Sequence, residues 1–247
     1  MNPYSLHGKT ILVTGASSGI GRAVAIACSE MGAVLVITGR DEHRLKETFS
    51  FLKGVGHVLK VLDLTISTEL KCFCENLFEL DGFVHCAGIA KPLVLRQMEI
   101  DDVNEIMQIN TFSPIHLTRL LIQNRKLKKE SSLVYLSSIN GNNSVYLGSS
   151  IYAASKSALN GFVKGVALEL SSRGIRANCI NPGMIDTNLL SNSAIGIEEL
   201  NIDKQNYPLK RYGKPEEVAY AAVYLLSDVA KWITGTSIVI DGGYTLK

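Results

Sequence analysis

Apolar runs of strand length alternate with helical patterns along the whole chain. The runs are "TILVT", "VLVIT", "HVLKVLDL", "GFVHCAG", "SLVYLSS", "IRANCINPG" and "TSIVIDGG", and helical periodicity fills the intervals between them. Strands that are separated by helices pair in parallel, because a parallel connection needs a crossover of helical length. The sequence therefore predicts an α/β fold, a doubly wound sandwich of seven parallel strands with helices on both faces.

Length and composition indicate one soluble domain. The chain has 247 residues, of which 46% are hydrophobic and 19% charged, and 25 Lys and Arg balance 23 Asp and Glu. No repeat or linker divides it, so we expect a single domain over residues 1–247. A nearly neutral balance predicts neither a nucleic-acid partner nor a membrane surface.

The N-terminal residues and the cysteines predict a cytoplasmic protein. "MNPYSLHGK" has no secretory pattern, and no apolar run is long enough for a membrane span. The five cysteines are odd in number and lack CxxC spacing, so free thiols are favoured over a disulfide or a metal site.

Two further segments are predicted from their periodicity. A long helix is expected from about residue 101 to 127, and the least regular stretch is 186–214. An irregular segment beside the carboxyl ends of the strands is a typical position for a substrate loop.

A glycine-rich turn follows the first strand directly. In "TGASSGIG", residues 14–21, Gly15 permits a tight turn, whereas Gly19 and Gly21 allow close approach of backbone to a ligand and of helix to strand. The following helix N-terminus offers free N–H groups to a pyrophosphate. We therefore interpret this end as a dinucleotide site of the Rossmann type.

The end of the second strand bears on the choice of dinucleotide. An acidic residue here binds the ribose 2′-hydroxyl of NAD, whereas an arginine accommodates the 2′-phosphate of NADP. "TGRDEHR" presents Arg40, with Asp41 as the expected N-cap of the next helix, which favours NADP(H) over NAD(H). The alternative is that Asp41 binds the ribose and Arg40 is a solvated surface residue.

A tyrosine and a lysine lie one helical turn apart in "YAASK". The phenol of Tyr152 and the ammonium of Lys156 share a helix face, and a nearby cation lowers the pKa of a phenol. The pair predicts a proton donor, although such a pair also arises by chance. Tyr146 is the weaker candidate because Ser150, not lysine, stands four residues after it, and we expect it to line a substrate pocket.

These motifs together resemble the short-chain dehydrogenase/reductase family over essentially the whole chain. Further segments match in order: "LDLT", "HCAG", "IMQINTFSP", "YLSSINGN" and "NPGMIDT". The resemblance implies a catalytic set of Asn110, Ser138, Tyr152 and Lys156, with Ser137 the less favoured serine. It implies cofactor contacts from Gly15, Ser17, Ser18, Gly19, Ile20, Gly21, Arg40, Asp63, Leu64, Cys86, Ala87, Gly88, Tyr152, Lys156, Pro182, Gly183, Ile185 and Thr187.

Each implied role has its place in this scheme. Asp63 would accept from the adenine amino group, unless it serves only as a turn residue, and Ile185 with Thr187 would hold the nicotinamide carboxamide. Asn110 would bend the long helix and anchor a water that relays protons to Lys156.

One departure from the family pattern falls on the fourth strand. The family usually has two asparagines before Ala-Gly, where this chain has His85 and Cys86. We expect the loss of the two amides to weaken a side-chain connection between neighbouring strands, and we expect His85 to be a packing residue.

The substrate is less constrained than the reaction. Length, "YAASK", "RYGKPEEVA" and "IDGGY" most resemble the 3-oxoacyl-(acyl-carrier-protein) reductases, and Lys129 and Arg173 are in register with two residues that meet the acidic carrier. "RKLKK", 125–129, is otherwise a solvated helix end. A sugar, polyol or sterol dehydrogenase and a non-catalytic NADP-binding regulator are the alternatives. The family also implies a homotetramer, with Ala154, Ala158 and Gly161 suited to close helix packing.

Overall fold

A single parallel sheet organises the chain. The computed structural model describes residues 2–187 and 197–246, and its seven strands lie in the order β3-β2-β1-β4-β5-β6-β7. All neighbouring pairs are parallel. The strands are β1 (Thr10–Thr14), β2 (Val34–Gly39), β3 (Val58–Val61), β4 (Leu80–His85), β5 (Leu127–Leu136), β6 (Arg176–Pro182) and β7 (Ser237–Ile240). The predicted seven-stranded doubly wound fold is confirmed.

Eight α-helices are described on the two faces of the sheet. They are α1 (Gly19–Glu30), α2 (Glu42–Phe51), α3 (Ser67–Asn76), α4 (Ile100–Met107), α5 (Ser113–Gln123), α6 (Ser150–Glu169), α7 (Ile197–Lys204) and α8 (Pro215–Leu226). Among the residues described, no helix is long and apolar enough to cross a membrane.

Alternate residues of each strand enter different cores. Ile11 and Val13 of β1 face a core that α1, α2 and α8 complete, whereas Leu12 faces a second core completed by α3, α5 and α6. Strands that are covered on both faces read as continuous apolar runs, which is the pattern in the sequence.

The strand order fixes where a ligand can bind. The chain adds β2 and β3 on one side of β1, then returns to place β4 on the other side. The loops that follow β1 and β4 therefore diverge at the carboxyl edge of the sheet and leave a crevice between them. The glycine-rich turn follows β1, and Cys86, Ala87 and Gly88 follow β4.

The predicted long helix is wrong in its continuity and in its end. A π-helical segment, Gln108–Phe112, separates α4 from α5, and α5 stops at Gln123. Arg125 then adopts a positive φ of 53°, and β5 begins at Leu127. The segment "RKLKK" is thus not a helix end, because its last three residues belong to β5. Lys128 is paired there with Asp81 at 2.8 Å.

The side-chain connection between β1 and β4 persists despite the substitution at His85. Thr14 and His85 are partners in the parallel register, and Thr14 Oγ1 lies 3.0 Å from His85 Nδ1. A histidine ring thus supplies the connection that we expected the loss of asparagine to weaken.

Candidate active site

The glycine-rich turn has no room for side chains. A Cβ atom on Gly21 would lie 2.1 Å from the carbonyl oxygen of Gly15, and one on Gly15 would lie 2.7 Å from the nitrogen of Ala87. Gly15 also has a φ of +67°, in the region that favours glycine. The turn therefore brings β1, α1 and the segment after β4 within contact distance of one another.

A cleft of about 330 Å³ opens beside this turn. Thirteen of the predicted cofactor residues line it: Gly15, Ser17, Ser18, Gly19, Ile20, Gly21, Arg40, Asp63, Leu64, Cys86, Ala87, Gly88 and Thr187. Sequence reasoning missed Thr38, Gly39, Leu62, Thr65, Ile89, Ile109 and Ser113, which also line it. Thr38 and Gly39 end β2 beside Arg40 and could have been found from that position alone.

The mouth of the cleft offers free donors to an anion. The N-cap of α1, Ser18, makes no side-chain cap, so the first N–H groups of the helix stay open. The buried hydroxyl of Ser17 has no hydrogen-bond partner within the described part of the chain, and a Cβ on Gly39 would lie 2.0 Å from it. An unpartnered buried hydroxyl next to a helix N-terminus fits the phosphates of a dinucleotide.

Arg40 and Asp41 have different surroundings at the end of β2. Both residues are exposed and line the cleft. The Asp41 carboxylate also accepts the Arg44 N–H at 3.0 Å as the N-cap of α2 and lies 3.3 Å from Arg44 Nε. Asp41 is therefore engaged by its own helix, which weighs against its binding a ribose.

Asp63 combines the two interpretations that the sequence left open. Its Oδ1 accepts hydrogen bonds from the Thr65 nitrogen at 2.9 Å and the Thr65 hydroxyl at 2.7 Å. Burial tends to raise the pKa of Asp63, but these bonds and the charge of Arg40 hold it below its usual value. Asp63 is a turn residue that also presents an ionised carboxylate to the cleft.

Lys156 is buried behind the wall of the cleft. Its side chain reaches from α6 to the end of β5, where Nζ donates to the Leu136 carbonyl at 2.9 Å. A Cβ on Gly88 would lie 3.3 Å from Nζ and 3.1 Å from Asn110 Oδ1. Burial lowers the pKa of Lys156 to about 8. The ammonium thus lies next to the cofactor-lining Gly88 and beside Asn110.

Tyr152 does not have the lowered pKa that the sequence predicted. Burial raises the pKa of Tyr152 to about 12, and a hydrogen bond with Ser138 offsets only part of this effect. Lys156 Nζ lies 5.9 Å from the Tyr152 ring centroid. Loss of water around the phenol is the largest cause, so Tyr152 holds its proton at neutral pH.

The two serines that follow β5 make different contacts in the structure. Ser138 bonds with Tyr152 and accepts the Asn140 N–H at 3.2 Å. Ser137 donates to the Lys156 carbonyl at 3.1 Å and so ties the strand to α6. The preference for Ser138 as the substrate-facing serine agrees with this arrangement.

Asn110 lies in the π-helical segment. Its Oδ1 accepts the Ile89 N–H at 2.8 Å, and its Nδ2 donates to the Ile89 carbonyl at 2.9 Å and to the Ser155 hydroxyl at 3.1 Å. The amide therefore joins the segment after β4 to α6, between Tyr152 and Lys156. Nothing in the sequence indicated Ser155 as a hydrogen-bond partner of Asn110.

His85 is a packing residue, as expected. Its ring is fully buried between Phe83 and Tyr135, with centroids 6.0 and 6.4 Å away. Burial lowers its pKa to about 3, so it is neutral beside the Lys156 charge. Cys86 lines the cleft, and burial raises the pKa of its thiol.

Three of the remaining predicted cofactor residues lie at the end of β6 or just after it. Ile185 is buried and forms an isolated bridge with Gly213, and Thr187 Cγ2 would lie 3.4 Å from a Cβ on Gly19. Pro182, Gly183 and Ile185 do not line the cleft itself, and neither do Tyr152 and Lys156. Part of the predicted substrate loop, residues 188–196, falls outside the described residues.

The fold and this cluster define a class of enzyme. A dinucleotide cleft at the switch point of a parallel sheet adjoins a buried tyrosine, serine and lysine, which together can donate a proton to a carbonyl oxygen. This is the arrangement of an oxidoreductase that uses a nicotinamide cofactor on carbonyl or alcohol groups.

Comparison with known proteins agrees with this class. The sequence profile of the enoyl-(acyl carrier protein) reductase family matches residues 15–245. The chain is 34% identical to a 3-oxoacyl-(acyl-carrier-protein) reductase of Buchnera aphidicola, over 96% of this chain and 98% of the relative. It is 33% identical to the reductase of the same name from Vibrio harveyi, over 97% and 98%.

Solved structures give the same result. A dehydrogenase/reductase from Sinorhizobium meliloti superposes with a TM-score of 0.88 at 30% identity, covering 98% of this chain and 97% of that one. A short-chain dehydrogenase/reductase from Serratia marcescens gives 0.88 at 29% identity, over 97% and 99%. The chain belongs to the short-chain dehydrogenase/reductase family and is an NAD(P)-dependent oxidoreductase.

Substitution of Gly21 tests the turn. Gly21→Ala places a methyl group against the Gly15 carbonyl, so we expect NADPH affinity to fall by roughly tenfold or more, with a loss of about 1–3 kcal/mol in the free energy of unfolding. Cofactor fluorescence and denaturant unfolding measure the two effects. Ser50→Ala, on an exposed residue of α2 outside the cleft, is the control. Unchanged NADPH affinity in Gly21→Ala would remove the turn from the cofactor site.

Proposed function

We propose that the protein reduces a carbonyl group to an alcohol with NADPH, and that its substrate is a 3-oxoacyl thioester. The main observation in support of this reaction is the buried contact of Tyr152 with Ser138. Lys156 lies beside this pair, and Gly88 lies between its Nζ and the cofactor cleft. The relatives named above support the thioester.

Tyr152, Ser138 and Lys156 have different roles in proton transfer. Tyr152 donates the proton to the developing alkoxide, and the Ser138 hydroxyl holds the same oxygen in place. The Lys156 ammonium stabilises the negative charge that Tyr152 acquires, in surroundings where little water screens it. When bound, NADPH supplies the hydride.

The preference for NADPH rests on three features at the end of β2. Arg40 is free to reach a 2′-phosphate, the Ser17 hydroxyl beside it lacks a described partner, and Asp41 is committed to capping α2. An arginine together with a hydroxyl suits a phosphate dianion better than a ribose hydroxyl.

Exposed apolar residues before α6 support an acyl substrate. Val145, Tyr146 and Leu147 are 72, 48 and 88% exposed in the segment between β5 and α6. Leu93 N–H donates to the Gly148 carbonyl at 2.9 Å, which holds this segment beside the residues that follow β4. An exposed apolar segment favours an acyl chain over the hydroxyl groups of a sugar or polyol. We propose 186–214 as the substrate loop.

The carrier protein is proposed as a partner from the relatives alone. Lys129 is exposed near the start of β5, and Arg173 donates to the Leu127 carbonyl beside it. Lys129 lies near the amino end of β5, whereas Ser138 follows its carboxyl end. In one chain these two cations lie at the end of the sheet opposite the cleft.

An exposed face of α6 supports the proposed homotetramer. Ala154 is exposed, and Cβ atoms on Gly161 and Gly165 would meet nothing within 4 Å. Small residues on an exposed helix face allow the helix of a second copy to approach closely. At the edge beyond β6, Trp232 is 99% exposed and Val239 of β7 is 39% exposed.

A substrate panel tests the reaction. NADPH oxidation is measured from its absorbance with 3-oxoacyl thioesters, 2-enoyl thioesters, keto-sugars and simple ketones. We expect the rate to be highest with the 3-oxoacyl thioesters. Tyr152→Phe should lower kcat/KM by roughly a hundredfold or more and leave NADPH binding unchanged. Tyr220→Phe, on an exposed tyrosine of α8, should match the wild type.

Other outcomes of this panel contradict parts of the proposal. Full turnover by Tyr152→Phe would remove Tyr152 from the mechanism. Preference for a keto-sugar would favour a sugar dehydrogenase, and reduction of the enoyl thioester alone would favour the reaction in the profile's name. Tight NADPH binding without any turnover would favour a non-catalytic regulator.

Substitution of Arg40 tests the cofactor preference. Arg40→Ala should weaken NADPH binding by roughly ten- to a hundredfold, because a charge-assisted contact to the 2′-phosphate is lost, and should leave NADH binding nearly unchanged. Fluorescence titration with both cofactors measures this. Arg119→Ala, an exposed arginine of α5 outside the cleft, is the control. Equal weakening of both cofactors, or none, would contradict the proposal.

A further inference from the structure

A buried tyrosine hydroxyl contacts the backbone of the segment that follows β6. Tyr207 is only 4% exposed, and its hydroxyl accepts the Met184 N–H at 3.2 Å. Met184 lies between Gly183 and Ile185, two residues implied at the nicotinamide end of the cofactor. Among the described residues, no other acceptor bonds the Met184 N–H.

The ring of Tyr207 is held from two sides. The ring of Tyr244, near the C-terminus, lies 4.8 Å from it at an interplanar angle of 34°, and Tyr212 meets it edge-on at 5.5 Å and 86°. Tyr212 is itself fixed, since its hydroxyl donates to Asp203 Oδ2 at 2.8 Å. The Tyr207 hydroxyl therefore has a defined position toward Met184.

Gly183 is confined in the same junction. A Cβ on Gly183 would lie 3.0 Å from Asp241 Cα and 3.5 Å from Tyr207 Cε1. Its N–H donates to the Ile240 carbonyl at 2.9 Å. Asp241 in turn accepts the Gly243 N–H at 2.9 Å and the Thr245 hydroxyl at 2.7 Å, which orders the C-terminal turn.

Three parts of the chain thus meet at Tyr207. They are the segment after β6, the turn after α7 and the C-terminal turn. Beyond Met184, the segment continues to Thr187, which lines the cofactor cleft close to Gly19. A displacement of Met184 therefore moves the residues that close the nicotinamide end.

We propose that Tyr207 is a positioning residue that holds the segment after β6 in its cofactor-binding conformation, and so links the substrate side and the C-terminal turn to the nicotinamide end. This inference rests on the proposed NADPH site. It predicts weaker binding of the nicotinamide half of the dinucleotide alone. The adenosine half would contact the ends of β1, β2 and β3 instead. The hydroxyl stays protonated across the working pH range, since burial raises the pKa of Tyr207 to about 12.

Tyr207→Phe tests the proposal because it keeps the ring and removes only the acceptor of the Met184 N–H. NADPH and 2′-phospho-ADP-ribose, which lacks the nicotinamide, are titrated against wild type, Tyr207→Phe and Tyr220→Phe. We expect Tyr207→Phe to weaken NADPH binding by roughly three- to tenfold and to leave 2′-phospho-ADP-ribose binding unchanged. Tyr220→Phe removes the hydroxyl of an exposed tyrosine of α8, outside this aromatic cluster, and should change neither affinity.

Two results would overturn the proposal. The first is NADPH affinity in Tyr207→Phe equal to that of the wild type, and the second is equal weakening of both ligands, which would indicate a general loss of structure. Binding is the readout, so failure of the wild type to reduce 3-oxoacyl thioesters would refute the substrate and leave this test intact.

Discussion

The buried ammonium of Lys156 is the constraint on which the rest of the site depends. A charged amine without water is costly unless protein dipoles replace its solvation. Here the carbonyl of Leu136, at the end of β5, accepts from Nζ. That contact requires α6 to lie directly against the carboxyl end of β5, which the Ser137 bond to the Lys156 carbonyl secures. The catalytic geometry therefore depends on the packing of α6 against the sheet.

The same charge explains why neighbouring residues are small, neutral or polar. Gly88 has no side chain and so leaves space beside Nζ and the Asn110 amide. The hydrogen bonds of Asn110 hold the segment after β4 against α6. His85 lies close enough for the Lys156 charge to contribute to its lowered pKa, and it remains neutral. A second buried cation at that position would compete directly with the ammonium.

Local sequence predicted the sheet and the glycine-rich turn because both are set by short-range rules. Strand-length apolar runs and glycines at fixed spacing act through neighbours in the chain, and Gly21 against Gly15 is such a case. The pKa of Tyr152 was predicted wrongly, because the pair spacing gives the nearby cation but not the burial, which is a property of the folded protein. The bend expected at Asn110 falls in the π-helical segment between α4 and α5, and Pro114 stands at the start of α5. Local sequence could not predict the hydrogen bond between Thr14 and His85, because the two residues are 71 positions apart.

The central claim is that the charged form of Lys156 is needed for proton donation by Tyr152. Burial lowers the pKa of Lys156 to about 8, whereas that of Tyr152 is raised to about 12, so of these two groups it is Lys156 that changes charge near neutrality. The most direct measurement is kcat/KM for carbonyl reduction against pH from 6 to 10, at saturating NADPH. We predict a plateau at low pH and a fall as the pH rises through about 8, where the ammonium loses its proton. A profile that stays flat or rises over this range would contradict the account.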